Sequence, residues 1–104
     1  MTDSIKAALE MLQGQLKELD DIHQQVERDL NTVAATERVA KWKDRTTTLV
    51  AQLIGQPEAK RFADTRPGPS FTNDMLEEIG DIVETYRTAI LALTTKVKAR
   101  KTGP

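Results

Sequence analysis

The most informative absence in this sequence is cysteine. The 104-residue chain contains none, which excludes disulfide bonds, thiolate zinc sites and cysteine nucleophiles together. It also lacks the continuous apolar run of roughly 18–20 residues that a membrane-spanning helix needs. The first residues, MTDSIKAALEMLQ, do not follow the basic and then apolar order of a signal peptide. We therefore expect a cytoplasmic protein with no membrane partner.

Aromatic residues are scarce, and this limits how the core is built. Trp42, Phe62, Phe71 and Tyr86 are the only four. Hydrophobic residues make up 38% of the chain and charged residues 30%, which is typical of a folded, surface-rich protein rather than a disordered one. A chain of this length forms one domain at most. We expect residues 1–104 to be a single domain with a largely aliphatic core.

Catalytic chemistry has few candidates in this chain. There are two serines, one histidine and no glycine-rich phosphate loop. His23 has Asp20 three residues before it and Glu27 four residues after it, which resembles half of the carboxylate and histidine pattern of di-metal helical bundles. A line of carboxylates, Glu77, Asp81 and Glu84, could complement it, but a full site needs a second histidine. We expect no enzyme activity, no cofactor and no metal, and a structural role for His23.

The first part of the chain predicts a long amphipathic helix over residues 3–33. Its apolar positions alternate in steps of four and three, which is a heptad seam with one histidine in it. These positions are Ile5, Leu9, Leu12, Leu16, Leu19, His23, Val26, Leu30 and Val33. The pair Asn31-Thr32 is the weak point of this helix, although no glycine or proline enforces a break there. Continuity with the next helix is therefore left open.

Three further elements follow. A second helix is predicted over residues 36–54, with Gly55 in the left-handed position that often ends a helix. Its stripe consists of Val39, Trp42, Thr46, Leu49 and Leu53, widened by Val50 and Ile54. Pro57 begins a short helix over 57–64, with Phe62 as its anchor, and the Pro- and Gly-containing segment 65–73 is a loop.

A last long helix is predicted over residues 74–100, with Thr72 or Asn73 as its N-cap. Its seam is Leu76, Ile79, Val83, Tyr86, Ile90, Leu93 and Val97. Gly80 lies beside this seam, where it would admit a close helix approach. The fold class that follows is all-α, an antiparallel bundle of two long heptad-patterned helices with a shorter helix and one short turn helix between them.

The net charge of −1 hides an uneven distribution. Residues 1–35 carry seven acids and three bases, whereas residues 36–66 carry seven bases and four acids. In the last segment all five acids lie between Asp74 and Glu84, and all five bases between Arg87 and Lys101. Such asymmetry steers partners or complements another part of the same molecule. The basic excess is too small to predict nucleic-acid binding.

Trp42 allows two interpretations. Arg38 and Arg45 lie one turn away from it on either side, so the indole could be a stacking platform for an anionic ligand. Its place in an apolar stripe favours the alternative, a core residue whose edge is covered by the stems of its basic neighbours. Ligand-binding residues on the first interpretation are Arg38, Trp42, Arg45, Lys60, Arg61 and Arg66.

Three segments, WKDRTTTLVAQLIG, RFAD and YRTAILALTTKV, together resemble a known kind of module. Small helical N-terminal modules of this type precede TIR-like and other effector domains in bacterial antiphage defence proteins. The shared residues are Trp42, Arg45, Leu49, Leu53, Gly55, Phe62, Ile90 and Leu93. This chain departs from the pattern because no effector domain follows Pro104, so the domain has been removed or the module acts alone. The resemblance implies assembly or sensing through helix packing, without catalysis.

Two functions are therefore predicted. The first is a non-enzymatic helical interaction module that oligomerises or binds a partner helical protein, because the two long seams exceed what one small core requires. Its interaction seam would consist of Leu9, Leu12, Leu16, Leu19, His23, Val26, Ile79, Val83, Tyr86, Ile90 and Leu93. The alternative is a small binding or sequestering protein for an anionic nucleotide, which would use the basic face around Trp42.

Overall fold

The computed structural model describes residues 2–69 and 73–102, with side chains described for 4–69 and 73–100. The fold is all-α, as predicted. The described residues form four helices, α1 (Thr2–Asp29), α2 (Thr32–Leu53), α3 (Gln56–Asp64) and α4 (Met75–Thr102). Within these ranges no residue lies in a β-strand. The described parts of the predicted loop 65–73 contain no helix.

The three long helices form an antiparallel bundle. Asp20 of α1 pairs with Arg87 of α4, and His23 lies over Gly80, so α1 and α4 run in opposite directions. Trp42 of α2 contacts Tyr86 of α4, and further along both helices Arg100 donates to the backbone oxygen of Ile54. The helices α2 and α4 are therefore parallel to each other. The short α3 turns back and packs on α2.

The two heptad seams cover each other within one chain. Fully or nearly buried seam residues are Leu12, Leu19, Val26, Ile79, Val83, Tyr86, Ile90 and Val97. Leu9, Leu16, Leu76 and Leu93 are half-buried against the same core. The long helices therefore need no second copy to bury their apolar stripes, although the heptad pattern alone had suggested one. Ala8 and Ile22, which the seam omitted, are also buried.

The predicted first helix is too long at its C-terminal end. It stops at Asp29, and Leu30 adopts a φ of 57°. Asn31 then caps α2, its side-chain oxygen accepting a hydrogen bond from the Ala34 backbone at 3.0 Å. This side-chain cap satisfies a backbone N–H that a continuous helix would have satisfied internally. The break thus lies at the predicted weak point. The placement of Leu30 and Val33 in the seam was wrong, because both are exposed.

The predicted stripe of α2 drifts away from the core. Val39, Trp42, Thr46 and Val50 are buried, but Leu49 is only half-buried and Leu53 is 39% exposed. A straight α-helix has 3.6 residues per turn. Positions chosen with a 3.5-residue period therefore drift around the helix and leave its buried side. α2 also begins four residues earlier than predicted, at Thr32.

Gly55 follows the C-cap of α2, as predicted, and its N–H donates to the backbone oxygen of Val50 at 2.9 Å. Its backbone is not in the left-handed helical conformation, so that part of the prediction was wrong. Its φ of 156° and ψ of 161° lie in a region that is almost restricted to glycine. A Cβ added here would stand 2.6 Å from Oε1 of Glu58. Gly55 is also the N-cap of α3, whose second residue is Pro57. The glycine allows the chain to leave α2 and re-enter a helix at once.

The N-cap of α4 is Asp74 rather than Asn73. One Asp74 carboxylate oxygen accepts from the backbone N–H groups of Leu76 at 2.9 Å and Glu77 at 3.3 Å. Thr72, the other predicted cap, lies outside the described residues. A carboxylate at this position satisfies two helix-terminal donors and carries the charge that the helix dipole favours. The N-cap of α4 is therefore itself one of the acidic residues of its first half.

Candidate functional site

Trp42 is the centre of the core and offers no surface to a ligand. Its side chain is completely buried, and its Nε1 donates to the backbone oxygen of Gln15 at 2.8 Å. Its ring centroid lies 5.9 Å from that of Phe62 and 5.8 Å from that of Tyr86, in edge-on and tilted arrangements. Such pairs add to the burial energy of each ring. The core interpretation of Trp42 is confirmed, and the indole is not available for stacking.

The basic residues that were predicted to surround a ligand lie at different places and have different partners. Arg45 pairs with Glu18 of α1, and Arg66 donates to the backbone oxygen of Ala63 at 2.6 Å, at the end of α3. Arg38 is half-buried, with one guanidinium nitrogen enclosed and unpaired. Lys60 and Arg61 are exposed next to each other on α3, beside Asp64 in a shallow depression. Of the six predicted ligand residues, the structure brings only these two together.

His23 of α1 lies against Gly80 of α4. Its Nε2 lies 3.2 Å from Oε1 of Glu27, and a Cβ added to Gly80 would stand 3.6 Å from the same nitrogen. This distance is an ordinary van der Waals contact, so an alanine would also fit beside the imidazole. Within the described part of the chain, no group of three or more His, Asp or Glu side chains is arranged to hold a metal ion.

A groove lies between α3 and α4. It has a volume of about 570 Å³, which is within the range of ligand-binding clefts. Its lining residues are Glu58, Arg61, Phe62, Thr65, Thr85, Thr88, Ala89, Ala92, Leu93 and Lys96. We refer to it as the α3–α4 groove.

The α4 side of the α3–α4 groove is lined mainly by small residues. Thr85, Thr88, Ala89 and Ala92 leave space that Leu or Ile would fill, and Phe62 closes the bottom. From Thr85 to Lys96 the α4 wall is about 17 Å long, or three helical turns. Sequence reasoning missed this groove. The run of Ala and Thr beside the seam of α4 could have indicated a gap in packing. Nothing in the sequence, however, indicated that α3 would face these residues.

An ion-pair cluster closes one end of the groove. Glu58 is only 7% exposed, and its Oε2 lies 2.8 Å from Nζ of Lys96 and 3.4 Å from a guanidinium nitrogen of Arg100. The hydrogen bond from Lys96 and one from the Glu58 backbone N–H lower the pKa of this carboxyl group, against the opposing effect of burial. The cluster ties the start of α3 to the C-terminal half of α4.

The other end of the groove is held by Lys43 of α2. Its Nζ donates to the backbone oxygen of Thr65 at 3.1 Å and lies 5.1 Å from the Tyr86 ring centroid, a cation–π contact. Both ends of α3 are therefore anchored by lysines, and the groove between them is preformed. Its floor is apolar; on its rim Lys96 is paired with Glu58, whereas Arg61 is exposed without a carboxylate partner among the described residues, which suits an apolar surface that carries an acidic group.

No helix among the described residues is long and apolar enough to cross a membrane. Comparison of the chain with known protein families, curated proteins and solved structures finds no match. The α3–α4 groove is therefore judged by its own geometry.

Proposed function

We propose that this protein is a helical interaction module that binds an amphipathic helix of a partner protein in the α3–α4 groove. The observation that carries the proposal is an apolar groove three turns long, left open along small residues of α4. Docking of an apolar helix face into such a groove is a recurrent mode of peptide recognition. An assembly role of this kind is also what the resemblance to helical modules of antiphage proteins implies.

The contacts at the groove define the partner helix. Ala89, Ala92 and Leu93 supply an apolar wall, and Phe62 supplies the floor. Arg61 has no carboxylate partner among the described residues, so its guanidinium would pair with an acidic residue of the incoming helix. A partner with Leu or Ile at i, i+3, i+4 and i+7, flanked by Glu, matches this lining.

The test uses a synthetic amphipathic peptide of about 18 residues, with a leucine stripe and glutamate flanks, long enough to span the groove. Binding is followed by amide chemical shifts of the full-length protein. We expect shift changes in Arg61, Phe62 and residues 85–96. Absence of binding at millimolar peptide, or shift changes confined to other surfaces, would contradict the proposal.

Two variants make the test specific. Ala92→Glu places a charged side chain in the groove and is expected to weaken peptide binding by at least about tenfold, or 1.4 kcal/mol. Ala40→Glu introduces the same charge at an exposed position of α2 outside the groove, and it should bind like the wild type. Equal loss in both variants would mean that net charge, rather than the groove, governs binding.

A further inference from the structure

The turn between α1 and α2 contains an unexplained combination of features. Leu30 has a φ of 57°, a conformation that glycine or asparagine adopts far more readily than leucine. Its backbone N–H bonds to the oxygen of Val26 at 2.8 Å, so the conformation serves to end α1. A glycine would end the helix equally well. The leucine side chain is 64% exposed and gains little from the fold.

Val33 follows Leu30 by three residues, lies in the first turn of α2 and is 71% exposed. Together they form an apolar knob at the end of the α1–α2 hairpin. Acids surround it: residues 27–37, which we call the hairpin tip, include Glu27, Asp29 and Glu37 against one base, Arg28. The hairpin tip thus has the chemistry that the α3–α4 groove requires of a partner, an apolar surface with acidic flanks.

The whole molecule is electrically polar along its 49 Å length. The acidic half of α4, from Asp74 to Glu84, lies at the same end as the hairpin tip, because His23 packs on Gly80. Lys96, Lys98 and Arg100 lie towards the opposite end, and Arg61 and Lys96 border the groove. One end of the molecule is therefore complementary in charge to the groove region of another copy.

We propose that the hairpin tip of one copy inserts Leu30 and Val33 into the α3–α4 groove of a second copy. This inference rests on the proposed function and names the partner as the chain itself. The tip and the groove are different surfaces, so the contact is heterologous and leaves one tip and one groove unused in every dimer. Repetition gives head-to-tail oligomers or a closed ring.

The association is expected to be weak and sensitive to salt. A knob of two side chains buries less than the roughly 1,200 Å² of stable interfaces, which places it in the transient class. Attraction between the acidic tip and the basic rim is screened when ionic strength rises. Sedimentation velocity from about 10 µM to about 1 mM protein covers the range of such contacts. The average mass should rise with concentration at low salt and fall at high salt.

Three samples test the inference. Leu30→Gly combined with Val33→Ser removes the knob, Ala92→Glu blocks the groove, and each variant alone should stay monomeric. Because one intact tip and one intact groove remain in the mixture, the two variants together should form a 1:1 dimer that grows no further. An isologous interface would not be restored in this way. Leu91→Ser, which removes an exposed leucine of α4 elsewhere, should assemble like the wild type.

The outcomes separate this inference from the proposed function. A wild-type protein that stays monomeric over the whole range, a tip variant that still assembles, or a mixture without a dimer would each overturn the inference. If the acidic amphipathic peptide still binds the groove of such a monomer, the proposed function stands with a different partner. If neither the peptide nor the tip enters the groove, both are wrong. Circular dichroism of each variant verifies that it is folded.

Discussion

Gly55 and Gly14 place the same residue type in opposite situations. Gly55 has a backbone conformation that other residues avoid, with Oε1 of Glu58 only 2.6 Å from where a Cβ would lie. Gly14 lies inside α1, exposed, with nothing within 4 Å of an added Cβ. One glycine is required by the fold, and the other costs helix stability without a packing reason.

These two glycines give a paired prediction. Gly55→Ala should lower the free energy of unfolding by about 1–3 kcal/mol, because it adds backbone strain and displaces Glu58. Gly14→Ala should raise it by about 0.5–1 kcal/mol, the ordinary gain of alanine over glycine within a helix. Urea denaturation followed by circular dichroism measures both. A Gly55→Ala protein as stable as the wild type would mean that the chain can leave α2 by another route.

At the scale of the helices, α3 is the element held by the fewest groups. It packs on α2 through Phe62, and its start is tied to α4 by the ion pairs of Glu58 with Lys96 and Arg100. The lowered pKa of Glu58 means that this tie favours the charged carboxylate. Its contribution is fully present above the ordinary pKa of 4.5 and is lost as the pH falls through the lower folded-state pKa.

A pH titration of stability should therefore detect the α3 tie. Glu58→Gln should be less stable than the wild type at pH 7, and the difference should shrink as the pH falls below about 4.5, where the wild-type carboxylate is also neutralised. Lys96→Gln should weaken the same loss of stability at acid pH. Lys98→Gln, an exposed lysine two residues further along α4, should not. Urea midpoints between pH 7 and pH 3 measure the effect, and a constant difference across that range would contradict it.

The helices themselves were predictable because their signals are local. The seams of α1 and α4 were found from periodicity alone, and Phe62 was identified as the anchor of α3. The errors lie where the backbone departs from the usual preferences of its residues, as at Leu30, or where one glycine both follows one helix and caps the next, as at Gly55. The α3–α4 groove depends on where α3 packs on α2 relative to α4, a tertiary arrangement that no local pattern encodes.

At the scale of the whole molecule, Trp42 joins the separate helices into one unit. It bonds to Gln15 of α1 and contacts Phe62 of α3 and Tyr86 of α4 from its own position on α2. Charge pairs at the periphery, such as Arg45 with Glu18, are partly exposed and contribute less. The cooperativity of the fold therefore depends on one aromatic centre.

This arrangement predicts a single unfolding transition. Trp42 emission should be blue-shifted in the native protein and resistant to acrylamide quenching, and it should shift red on unfolding. The urea midpoint from this emission should coincide with that from far-ultraviolet circular dichroism, because the tryptophan environment and the helices are lost together. An emission change at lower urea than the loss of helix would show that the aromatic centre opens before the bundle does.

Gln15 has a mechanical consequence. Its backbone oxygen accepts from Trp42 and its side-chain oxygen accepts from Thr46, each at 2.8 Å. A piston-like slide of α1 along α2 by one turn, about 5.4 Å, would break both bonds at once. The two bonds therefore fix the register of α1 against α2. A change of shape on loading the groove is therefore expected in α3 and not in the register of α1 against α2.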